Sequence, residues 1–150
     1  VFSDEHGDYP AGTYVRNPPR SRHTPRTAPG CTIFVKLRQM RDDETHRVVV
    51  DTARAAWQQG PVAGLSLVPL HAAADGETVA LERLPPGARL RAYEVANGEE
   101  IYLLEGDLAD GHGTYGAGTW MRNPSGLRYE LMSTAGAVYW VKRGHLPPKP

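Results

Sequence analysis

The first forty residues of this chain occur a second time, and the two copies superimpose without a gap. Residues 1–40 align with residues 107–146 at a constant offset of 106, and 14 of the 40 positions are identical. The densest match sets His6 to Pro18 against His112 to Pro124, where His, Gly, Tyr, Ala, Gly, Thr, Arg, Asn and Pro recur in the same order. A period of 106 is too long for a solenoid unit and has the size of a small domain. The chain therefore reads as the second half of one repeat, residues 1–40, followed by a complete repeat, residues 41–150.

Half a repeat cannot close a core. Val1 aligns with Asp107, inside the repeat, and the piece carries Phe2, Tyr9, Tyr14, Ile33, Phe34, Val35 and Leu37. Its apolar face and strand edges would stand open to water. The expectation is that something covers them: a second copy in a homodimer, or an associated upstream fragment that carries the missing first half.

Seventeen basic and seventeen acidic residues cancel, so no net field gathers nucleic acid or an anionic membrane. No apolar run reaches membrane-spanning length and no signal peptide is visible. A cytoplasmic protein is expected, with neither nucleic acid nor membrane as partner. Cys31 is the only cysteine, which excludes an internal disulfide, and the apolar setting up to Ile33 predicts a buried structural thiol.

Periodicity predicts strands. Residues 47–52, 65–71, 78–84, 89–95, 100–105, 118–122, 127–132 and 137–142 are short and rich in β-branched or aromatic residues. Turn signals separate them, among them Asp75-Gly76, Pro85-Pro86-Gly87, Asn97-Gly98 and Asp110-Gly111. Residues 53–59 are the one candidate helix, about two turns long. Eight short strands at this spacing indicate an all-β sandwich or barrel, with the jelly roll as the arrangement that protects its edges.

Chemistry enters through spacing. Gly87, Tyr93, Val95, Glu99 and Gly106 stand at the intervals of the first cupin motif, in which the positions of Tyr93 and Val95 are histidines. A His-x-His pair on one strand aims two imidazoles to one face, and the Glu on the next strand reaches the same ion. A further His belongs thirty residues after the Glu, where this chain has Tyr129. The complete repeat thus keeps Glu99 and the glycine frame without the imidazoles. Its pocket, at Tyr93, Val95, Glu99 and Tyr129, is expected to hold neither metal nor other cofactor. In the partial repeat the position of Tyr129 is His23. If upstream strands supply His-x-His and Glu, His23 completes a divalent metal site suited to zinc or iron.

The run from Phe2 to Pro19, followed by Gly30-Cys31-Thr32-Ile33-Phe34-Val35-Lys36-Leu37, resembles the ChrR-type cupin family, and Trp57, Gly64, Pro86-Gly87 and Gly98-Glu99-Glu100 continue the resemblance. It implies a double-stranded β-helix, the cupin jelly roll, here as one complete barrel plus the second half of a preceding one. It also implies kinship with the metal-binding domain of an anti-sigma factor and with acetylacetone-cleaving dioxygenases. By the same resemblance His23 is the fourth metal ligand of the first barrel and Glu99 a relic in the second. No anti-sigma helical domain is visible, so a sigma factor as partner is not supported by these residues.

Two functions follow. One is a non-catalytic module that senses through a metal or binds a small molecule. The alternative is an iron-dependent dioxygenase that cleaves a diketone-like substrate in the first barrel. No catalytic residue can be named: Ser21, Ser66, Ser125 and Ser133 have no legible His and carboxylate partners, and the non-catalytic reading is favoured. Arg16, Arg20, Arg22 and Arg26 are read as a solvated face. Tyr93, Tyr102, Tyr115, Trp120, Tyr129, Tyr139 and Trp140 are read as barrel core before pocket wall. His6 and His112 are read as turn residues bonded within their own loops.

Overall fold

A computed structural model describes residues 1–147, and strands are the only regular elements longer than a turn among them. They are β1 (Phe2–Asp4), β2 (Gly7–Tyr9), β3 (Thr13–Arg16), β4 (Val48–Asp51), β5 (Gln58–Gln59), β6 (Ser66–Ala72), β7 (Thr78–Leu84), β8 (Arg89–Glu94), β9 (Glu99–Ala109), β10 (Thr114–Gly116), β11 (Trp120–Asn123), β12 (Arg128–Met132) and β13 (Ala137–Arg143). The chain divides into two compact units, Val1–Ala55 and Ala56–Pro150. Among the described residues no helix is long and apolar enough to cross a membrane.

The second unit is an all-β jelly roll. Its strands run β5-β6-β7-β13-β9-β12-β8, with β10 and β11 also paired to β9. The long β9 makes the roll possible. Its first residues, Glu99–Tyr102, pair with β11, Glu99–Gly106 pair with β13, and its last three pair with β10. Gly106, with φ +78°, pairs with Ala137 where β9 passes from β11 to β10, and the register shift between Val138 and Tyr139 leaves Leu104 of β9 unmatched two residues earlier. A Cβ on Gly106 would stand 1.8 Å from the carbonyl oxygen of Gly136, so glycine is required by both conformation and close approach. Curling the sheet turns alternate residues inward. Leu84, Ile101, Leu103, Leu108, Leu131, Tyr139 and Val141 are buried together, each leucine contributing about 1.5–3 kcal/mol by leaving water.

In the first unit the repeat seen in sequence is visible as geometry. β1 and β2 pair with Phe2 opposite Tyr9, and β9 and β10 pair with Leu108 opposite Tyr115, the same register at the same offset. The turn chemistry is also shared. Asp4 Oδ1 accepts the His6 amide at 2.8 Å and the Tyr9 hydroxyl at 2.8 Å; Asp110 Oδ1 accepts the His112 amide at 2.7 Å and the Tyr115 hydroxyl at 2.9 Å. A buried or half-buried tyrosine thus holds its own turn closed, and the two histidines join through their backbone.

Beyond Asn17 the copies part. Residues 22–26 and 31–37 match β12 and β13, yet no strand forms between residues 17 and 47 apart from a bridge of Ser3 to Arg26. In the second unit β13 is held from both sides by β7 and β9; strand conformation needs such neighbours. Cys31 is accordingly exposed, not buried as the sequence suggested. Ile33, Val35 and Leu37 are exposed as well.

Three further expectations change. β4 falls within the residues assigned to the complete repeat, yet it pairs with β3 in the first unit. Residues 53–59 form no helix: Asp51 turns the chain by accepting the Ala53 amide, β5 follows at Gln58–Gln59, and Trp57 lies under the Arg83 guanidinium at 3.8 Å. Two turns of helix lack the length to hold themselves against those contacts. Arg16 is buried and hydrogen-bonded to Glu44 through Nε at 3.1 Å, so it belongs to no solvated face.

Candidate functional site

Within the second unit, seven side chains from six strands meet through hydrogen bonds, and strand register explains the meeting. Tyr93 on β8 lies directly opposite Tyr129 on β12, Glu99 on β9 opposite Asn123 on β11 and Arg143 on β13, and Glu82 on β7 opposite Tyr139 on β13. Residues that face each other across a ladder have Cβ atoms about 5 Å apart. The polar tips therefore converge once the sheet curls.

Glu99 is the hub and is wholly buried. Its Oε1 accepts from Asn123 Nδ2 at 3.0 Å, from the Tyr93 hydroxyl at 3.0 Å and from the Tyr129 hydroxyl in a short bond; its Oε2 accepts from Arg143 Nε at 2.9 Å. The two phenol oxygens are 2.9 Å apart, and Asn123 Nδ2 also donates to Tyr129 at 2.8 Å. Arg143 extends the network with both terminal nitrogens on Glu82, Nη2 to Oε2 at 3.0 Å. Tyr139 donates to that same oxygen at 2.8 Å.

Electrostatics fix the protons. Burial first, and then the charge of Glu99, push the hydroxyls of Tyr93 and Tyr129 well above the ordinary phenol range. Burial and Glu82 do the same to Tyr139. All three stay protonated and serve as donors. Burial alone would lower the basicity of Arg143; the hydrogen bonds and charge of Glu82, followed by the charge of Glu99, more than reverse this and keep it cationic.

Tyr93, Glu99 and Tyr129, the positions singled out by spacing, are thus brought together. Val95 is buried in the adjoining apolar core and carries no polar atom into the network. Glu82, Asn123 and Arg143 were missed. Glu82 had a partial signal, a carboxylate at period two from Ala80 and Leu84 and hence on the same face of the strand as both. Asn123 had one in the Arg-Asn-Pro shared by both repeats. Arg143 had none, since a basic residue at a strand end is ordinary. The donor set does not fit a transition metal. One carboxylate is already saturated, the phenols are neutral, and a guanidinium lies against the remaining oxygen; among the described residues no group of three His, Cys, Asp or Glu could hold an ion.

His23 lies in the first unit. Its Nδ1 is 3.1 Å from Asp4 Oδ2, its ring stacks beside Phe2 at 6.1 Å, and its side chain is 32% exposed. Burial would raise the Asp4 carboxyl; bonds from the His6 amide, Tyr9 and His23, with Arg47 3.8 Å away, instead carry it down to about 2. Among the described residues, no group of three His, Cys, Asp or Glu that could hold an ion forms around His23.

The ChrR cupin-like domain family matches residues 1–41 and 45–147. Among solved structures, the chain is similar to Rhodobacter sphaeroides SigE in complex with the anti-sigma ChrR, at 15% identity and TM-score 0.54 over 61% of this chain and 50% of that one. It is similar to a putative acetylacetone dioxygenase from Methylibium petroleiphilum PM1, at 16% identity and TM-score 0.61 over 69% and 81%. It is also similar to the polyketide cyclase RemF from Streptomyces resistomycificus, at 16% identity and TM-score 0.55 over 66% and 80%. At such identities these likenesses establish the fold. The chain spans about half the length of the first two structures it matches, 50% and 54%. No curated protein sequence matches it.

Proposed function

Because the chain belongs to the ChrR cupin-like domain family, we propose that it works as a binding and sensing module and not as an oxygenase. The saturation of Glu99 by Tyr93, Tyr129, Asn123 and Arg143 carries this reading. General acid–base chemistry needs a group that can gain or lose a proton near neutral pH. In the second unit the carboxylate is fully bonded and the phenols are held protonated, so the network supports a rigid barrel or the wall of a small-molecule site.

A divalent ion, zinc or iron, is assigned by this proposal to the first repeat with His23 as one ligand. Asp4 on Nδ1 supports it: a carboxylate that takes one ring proton sets the tautomer and aims the other nitrogen outward, as behind metal-bound imidazoles. The other ligands would come from a cupin first half that completes the repeat. The protein partner expected is a second cupin unit: a second copy in a homodimer could cover the open edges, whereas the remaining imidazoles would have to come from an associated first half, because the first half in this chain carries Tyr93 and Val95 at those positions. Metal analysis of the purified protein, paired with an oxygen electrode and acetylacetone, tests the reading. Metal that disappears in His23→Ala, without oxygen uptake, is the expected result; bound iron with oxygen consumption would overturn it. The second reading, a diketone-cleaving dioxygenase, draws support from the fold shared with the putative acetylacetone dioxygenase.

A further inference from the structure

We propose that the Arg143 guanidinium is the built-in cation of the second barrel, doing for Glu82 and Glu99 what a bound metal ion does for a cupin cage. Both carboxylates are buried, at 2% and 0% relative exposure. Two such charges facing one space need a cation between them or must give up ionisation. Arg143 spans both, with Nε on Glu99 at 2.9 Å and the two terminal nitrogens on Glu82. A planar fork that bonds two carboxylates at once is a geometry that lysine cannot reproduce.

The internal repeat gives an independent line. Shifted by 106, Asn123 falls on Asn17, Tyr129 on His23 and Arg143 on Leu37. The repeat that has the imidazole lacks the arginine, and the repeat that has the arginine lacks the imidazole. The amide that supports Glu99 is common to both. Where the reading proposed above gives the first repeat an external ion at the histidine, the second repeat carries an internal cation at the arginine. The assignment of Arg143 stands whether or not His23 binds metal.

Thermal unfolding of the full chain tests it. The transition that reports the second unit should not move when EDTA, zinc or ferrous iron is added. Arg143→Met should lower it by roughly 10 °C, and guanidinium ion at sub-denaturing concentration should raise the variant's transition while leaving or lowering that of the parent. Arg143→Lys should fall between the two. If Arg143→Met does not fold, a lowered Arg143→Lys transition together with chelator indifference of the parent upholds the proposal. An EDTA-induced fall in the transition of the second unit, or Arg143→Met unfolding with the parent, would overturn it.

Discussion

At Tyr129 one hydroxyl performs two tasks, donating to Glu99 and accepting from Asn123. Tyr129→Phe keeps the ring in the core and removes both bonds together with the contact to the Tyr93 hydroxyl, leaving a buried carboxylate and a buried amide each short of a partner. The expected loss is about 1–3 kcal/mol in urea unfolding; an unchanged midpoint would show that the network contributes nothing. Asp4 makes a pH-dependent claim. Its carboxyl lies at about 2 in the folded chain against 3.8 for the free group, so the stability it contributes is complete above 3.8 and disappears as pH falls toward 2. Asp4→Asn should flatten that acid limb in a circular dichroism titration of the first unit. Residues of this kind were only half legible. Tyr93, Glu99 and Tyr129 could be found by spacing because a motif fixes intervals along the chain. Arg143 and Glu82 are 61 residues apart, and only strand order brings them together.

Elements were read more securely than residues, for a physical reason. All eight strands expected from alternation are present, with β7 matching to the residue, because period-two burial is a local pattern that sheet packing rewards directly. Strands β1, β2, β5 and β10 span two or three residues each, too short for alternation to register. Segment 31–37 has a strand's composition without strand neighbours, and composition alone did not suffice. Gly106 lies where β9 passes from β11 to β10. Gly106→Ala places a methyl group against the Gly136 carbonyl and forces an L residue to positive φ. A loss of about 3 kcal/mol or more is expected, measured as the shift in unfolding midpoint of the full chain; Gly76→Ala, where a Cβ would meet nothing within 4 Å, is the control for backbone conformation alone.

For the whole molecule, the exposed Ile33, Val35 and Leu37 bear on association. If a second cupin unit covers them, the particle in sedimentation velocity should exceed the 16.4 kDa of one chain, and Ile33→Lys with Leu37→Lys should return it to that mass. A single-chain particle in the unaltered protein would remove the case for a partner at this segment. The twin turns carry a different consequence. Because Phe2–Tyr9 and Leu108–Tyr115 share one register and one aspartate clasp, each strand has a decoy of matching register elsewhere in the polypeptide. Refolding from denaturant offers β1 the choice of β2 or β10, and two chains that trade these pieces keep the ladder register and the aspartate clasp while giving up the bond of Arg47 to Tyr9. The duplication that built the molecule therefore leaves it prone to entanglement at high concentration, a hazard of tandem copies that diverge more slowly in their hairpins than in their cores.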